Sequence, residues 1–88
     1  MSIKEIKISP LFEKQYKKLP KQIKEKAKEK ERIFRENPFH PILKTHKLSG
    51  KDKECWALWI TYSYRIKFIF LSNEEVLFLG IGTHEIYK

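Results

Sequence analysis

Eighty-eight residues leave no room for two independent domains, because halves of roughly 40 residues rarely fold without disulfides or a metal. A chain that is 41% hydrophobic and 14% aromatic is not wholesale disordered, and its one cysteine, Cys55, forbids an internal disulfide and any Cys-rich metal site. Net charge is +8 and uneven: residues 1–36 carry 12 basic and 6 acidic side chains, residues 37–54 carry 4 and 2, and residues 55–88 carry 3 and 3.

That gradient suits a polyanionic partner, nucleic acid or a strongly acidic protein. The plainer alternative is a solvated Lys/Glu helix face, since 16 of the 19 cations are lysine. No stretch approaches the ~18 apolar residues needed to span a bilayer. Met1 to Glu5 lacks the apolar core of a secretory leader. One cytoplasmic domain over residues 1–88, with no membrane partner, is expected.

Ile6 and Ile8 alternate with Glu5 and Lys7, which predicts a short first strand. Ser9-Pro10 is a helix start, Ser as N-cap and Pro at the first helical position, with Glu13 near the positive end of the dipole. Phe12, Tyr16 and Leu19 form one helical stripe that Pro20 ends or turns. From Lys21 to about Glu36, Ile23, Ala27 and Phe34 line one face, with Ile33 beside them, until Asn37-Pro38 stops the helix. Like-charged and opposite-charged neighbours are mixed along it, so burial of the stripe must hold it.

Residues 37–54 read as a polar connection with a turn at Ser49-Gly50; it carries His40, His46 and four lysines. Three strands follow. Cys55 to about Tyr62 is apolar on both faces, with Trp56 and Trp59 on opposite sides. Tyr64 to Leu71 places Tyr64, Ile66, Phe68 and Phe70 on one face and Arg65, Lys67 and Ile69 on the other. Val76 to about Ile81 is the last, with Gly80 and Gly82 permitting a bulge. The expected class is α+β in the order β-α-α-β-β-β: a helical hairpin packed on one face of a four-stranded, largely antiparallel sheet whose other face carries Arg65 and Lys67.

Gly82-Thr83-His84-Glu85-Ile86-Tyr87 leaves a strand that neighbours the one bearing Arg65. Histidine moves protons near neutral pH, tyrosine donates one or stacks on a base, and Arg or Lys stabilises a phosphorane. RNA fits such a set because its 2′-hydroxyl is an internal nucleophile, so no metal or other cofactor is required. The competing reading is an exposed His and Tyr with no role. Trp59 is either a base-stacking platform or a packing residue beneath the loop. Cys55 reads as a small buried hydrophobe, and His40 as a turn residue. Helix lysines 14, 17, 18, 21, 24, 26, 28 and 30 are either solvated or a contact for ribosomal RNA.

The series Leu48-Ser49-Gly50, Trp56 through Tyr64-Arg65-Ile66 to Phe70, and Ile81-Gly82-Thr83-His84 through Tyr87 resembles the RelE/ParE toxin superfamily. Within it, the chain looks like the RelE/StbE and YafQ-like mRNA interferases. The resemblance implies a RelE-like, microbial-ribonuclease-like fold. It also implies the toxin of a type II toxin-antitoxin system, cutting mRNA at the ribosome without metal and inhibited by a cognate antitoxin, with operator DNA contacted only through the antitoxin complex. By the same resemblance, Arg65 is the strand arginine that stabilises the transition state. His84 is the histidine acting as general acid or base, His46 the loop histidine of the YafQ-like branch, and Tyr87 the late aromatic that orients the nucleotide. Lys51 and Lys53 stand where related toxins place phosphate-contacting loop lysines; Lys67 and Trp59 are added as RNA-binding candidates. The chain departs from the branch at Trp59 and Ser63, which stand where a histidine and an aspartate are expected, and in a His84-to-Tyr87 spacing one residue shorter than in many relatives. The alternatives are a gyrase-inhibiting toxin of the ParE type and a non-cleaving antitoxin-binding module.

Overall fold

A computed structural model describes residues 2–50 and 53–83. Strand β1 (Glu5–Ile8) leads into helix α1 (Pro10–Lys17), capped as the sequence suggests: the Ser9 hydroxyl accepts from the Phe12 N–H at 3.0 Å. Pro20 separates it from helix α2 (Lys21–Glu36). After a 3₁₀ turn at Pro41–Leu43 come β2 (His46–Lys47), β3 (Trp56–Trp59), β4 (Tyr64–Phe70) and β5 (Glu75–Thr83).

The expected helical hairpin on one sheet face is present, and the sheet gains a fifth strand. Its order is β1-β5-β4-β3-β2, with β1 parallel to β5 and every other pair antiparallel. The added strand, β2, is two residues long inside the segment read as a polar connection; so short a piece has no periodicity to recognise. β3 ends at Trp59, short of the expected Tyr62. There the Thr61 hydroxyl accepts the N–H groups of Ser63 and Tyr64, and the Ile60 N–H bonds the Tyr64 carbonyl, closing a tight turn.

Alternate residues of β4 and β5 enter the core under the helices. Phe34 of α2 is fully buried and meets Phe68 and Phe78 edge-on, with centroids 5.1 and 5.7 Å apart; Phe12 of α1 reaches Phe78 at 5.4 Å. Ile8 faces the same side but is 48% exposed, on the wall of an open groove that Phe12, Tyr16 and Ala27 of the helices also line.

Between Lys67–Gly80 and Phe68–Phe78 the β4/β5 register slips by one, leaving Leu79 unpaired in a bulge. Helix α1 holds it. The Ser9 hydroxyl donates to the Leu79 carbonyl at 2.9 Å, and Gln15 Oε1 accepts the Ile81 N–H at 2.9 Å. A Cβ at Gly80 would lie 3.1 Å from that Oε1, so the close approach favours glycine. Among the described residues, no helix is long and apolar enough to cross a membrane.

Candidate functional site

Because Ile66 and Phe68 enter the core, Arg65 and Lys67 must project from the face without helices. Register extends that face sideways. Lys67 pairs with Ala57 of β3, and Ala57 with His46 of β2; further along, Arg65 pairs with Trp59 and with Gly82. Residues directly paired share a face, so His46, Trp59, Arg65 and Lys67 occupy one side of the sheet. Two strand spacings separate the His46 and Lys67 backbones, about 10 Å, a gap that their side chains and a phosphodiester can bridge.

Arg65 is only 8% exposed. Its guanidinium lies 4.0 Å from the centroid of the Trp59 ring, and its Nη1 donates to the carbonyls of Thr61, at 2.9 Å, and Tyr62. The side chain therefore braces the β3–β4 turn while keeping its charge on this face. Its Nε–H is buried without an acceptor among the described residues.

Trp59 is half-buried and crowded. Besides Arg65 it carries the Lys44 ammonium 5.4 Å from its centroid and the Tyr62 ring edge-on at 5.7 Å. Trp56, on the opposite face, packs edge-on against Phe39 and Phe70. His46 is exposed, and its Nδ1 is 2.9 Å from the Lys44 carbonyl. Lys53 is exposed in the loop, where its N–H donates to the Gly50 carbonyl at 3.3 Å; Gly50 supplies the turn through φ +72°. His84, Tyr87 and Lys51 lie outside the described residues.

Lys44 escapes a reading based on spacing. It stands just after the 3₁₀ turn in a left-handed conformation, φ 49°, the only non-glycine residue with positive φ among those described. Neither its residue type nor its neighbours announce that geometry.

The far end of the same face is acidic. Glu5 and Glu75 are directly paired across β1 and β5. A hydrogen bond shared with Glu5 is the main reason the Glu75 carboxyl is held above its ordinary pKa. Desolvation and the Glu5 charge add to this, and Lys7 and Ser72 partly offset it. Cations thus cluster at the start of β4 and carboxylates at the start of β5. Among the described residues, no three His, Cys, Asp or Glu side chains gather as a metal-binding group.

No protein-family model matches the sequence, and no curated protein matches it. Solved structures do. YafQ from E. coli strain BL21(DE3) is similar over 93% of this chain and 94% of its own, at 22% identity and a TM-score of 0.76. A YoeB/ParE toxin from Agrobacterium tumefaciens is similar over 92% and 99%, at 18% identity and a TM-score of 0.78. The archaeal RelE–RelB complex from Pyrococcus horikoshii contains a chain similar over 94% and 96%, at 19% identity and a TM-score of 0.73. The fold is that of the RelE/ParE toxins.

Proposed function

We propose that this chain, with the fold of these toxins, is the toxin of a toxin-antitoxin pair and an endoribonuclease that cleaves mRNA at the ribosome. The observation that carries the reading is the convergence of His46, Trp59, Arg65 and Lys67 on the helix-free sheet face. The 2′-oxygen attacks the adjacent phosphorus and the bond to the 5′-oxygen breaks. A base takes the 2′-hydroxyl proton, and an acid protonates the departing 5′-oxygen. His46 and His84 exchange those protons; Arg65, with Lys67, Lys51 and Lys53, offsets the charge that grows on the phosphorane; Tyr87 orients the nucleotide. RNA supplies the nucleophile, so the reaction runs without metal. The basic surface suits both ribosomal RNA and an acidic antitoxin segment, and the RelE–RelB neighbour supports the second partner.

The test is primer extension and end-group analysis of mRNA after induction. Cleavage leaving a 2′,3′-cyclic phosphate, persisting in chelator, and falling about a hundredfold or more in His46→Ala or His84→Ala supports the assignment. Full cleavage in a His84→Ala, Arg65→Ala double mutant removes the site. One observation favours a second reading, an antitoxin-binding module without cleavage: Arg65 Nη1 is already committed to two turn carbonyls. Tight antitoxin binding with intact mRNA would select that reading, whereas growth arrest with DNA damage would select the gyrase-directed alternative.

A further inference from the structure

The two loop histidines meet opposite partners. His40 Nδ1 is 3.1 Å from the Ile42 N–H, which can only donate, so Nδ1 accepts and the neutral ring carries its proton on Nε2. His46 Nδ1 is 2.9 Å from the Lys44 carbonyl, which can only accept. Nδ1 must therefore donate, and the neutral ring keeps its lone pair on Nε2. Within one short loop, the backbone selects one tautomer and then the other.

The carbonyl that selects the second belongs to the residue with φ 49°. The Lys44 N–H closes the 3₁₀ turn onto the Pro41 carbonyl at 3.2 Å, and the left-handed turn of the backbone then sets the direction of its own C=O. β-Branched side chains oppose that conformation and glycine accepts it freely. The Lys44 ammonium lies over Trp59, on the face that also holds Arg65.

We propose that Lys44 is a positioning residue whose left-handed backbone fixes His46 as the Nδ1–H tautomer, leaving Nε2 as the atom that accepts the 2′-hydroxyl proton. The inference rests on the endoribonuclease reading for its role and on geometry alone for the tautomer. It assigns His46 the base and leaves the acid to the opposite side of the phosphate. A neutral histidine free in water prefers Nε2–H, so the arrangement reverses the intrinsic preference.

Ring ¹⁵N NMR of the whole chain, at a pH where both imidazoles are neutral, tests the assignment. The expected spectrum has His46 protonated at Nδ1 and His40 at Nε2. Lys44→Gly, which keeps the backbone and removes the ammonium, retains that pattern. Lys44→Val moves His46 toward Nε2–H and leaves His40, the internal check on folding, unchanged; Lys44→Thr, also β-branched, serves in its place if the valine variant does not fold. In RNA cleavage, the variant that shifts the tautomer loses about tenfold to a hundredfold in kcat with KM retained. His46 found as Nε2–H in the unmodified protein, or a tautomer indifferent to Lys44→Val and Lys44→Thr, overturns the proposal. The expected tautomers in a chain that cuts no RNA would instead refute the nuclease reading while leaving the positioning geometry standing.

Discussion

Phe34, Phe68 and Phe78 meet ring to ring beneath α2, whereas His46, Lys44 and Trp59 meet through a carbonyl, an ammonium and a ring on the other face of the sheet. The first region is held by close-packed apolar surface, which tolerates loss of volume badly and carries no chemistry. The second is aimed by backbone geometry and left in contact with water, so its side chains can change without collapse. Stability and candidate chemistry are therefore assigned to opposite faces of one sheet, with Arg65 serving both.

The contrast is sharpest in Phe34→Ala, which should cost about 3–5 kcal/mol in urea denaturation. His46→Ala should stay within about 0.5 kcal/mol of the parent; comparable losses would erase the distinction. Arg65→Ala comes next, at about 1–3 kcal/mol, because the turn loses two donor bonds and the cation on Trp59. It should be the one substitution that lowers both melting temperature and RNA cleavage; a loss confined to either would place Arg65 in a single region. Ser9→Ala removes a helix cap and the bond to the bulged Leu79 carbonyl together, at about 1–2 kcal/mol, with cleavage unchanged.

The smallest effect is Glu75→Gln. A carboxyl whose folded pKa is raised binds its proton more tightly in the native state. Its contribution to stability is complete below the ordinary carboxylate pKa and is lost as pH rises through the raised value. The variant should therefore lose less stability than the parent between acidic and neutral pH. Equal slopes in parallel denaturation series would show that the Glu5–Glu75 contact has no influence.

Helices and the long strands are legible because each displays a period: Phe12 and Tyr16, Ala27 and Phe34, then Ile66 and Phe68. Ser9-Pro10 and Asn37-Pro38 punctuate them. The two-residue β2 displays no period. His46 and Lys47 find Ala57 and Trp56 through the backbone, where the Leu48 N–H donates to the Cys55 carbonyl at 2.9 Å. A closure made by main-chain atoms has no counterpart in residue pattern.

The candidate site is half legible for a similar reason. Alternation along β4 puts Arg65 and Lys67 on one face, but register alone brings His46 and Trp59 beside them. The bracing of the turn by Arg65 is out of reach, since a side chain bonding carbonyls three and four residues back leaves no trace in composition. Lys44 is hidden because left-handed backbone usually announces itself through glycine or asparagine, and here it falls on lysine.

Parallel pairing of β1 with β5 has a consequence for how the chain comes to be folded. The Ser9 hydroxyl and the Leu79 carbonyl that it bonds are 70 positions apart, and β1 gains its neighbour only when β5 has been made. During translation the opening segment must wait for β5, and until then Phe12 and Phe34 also lack the Phe78 ring they pack on. Closure by so distant a contact is entropically slow, so maturation of the nascent polypeptide is gated by the arrival of its fifth strand.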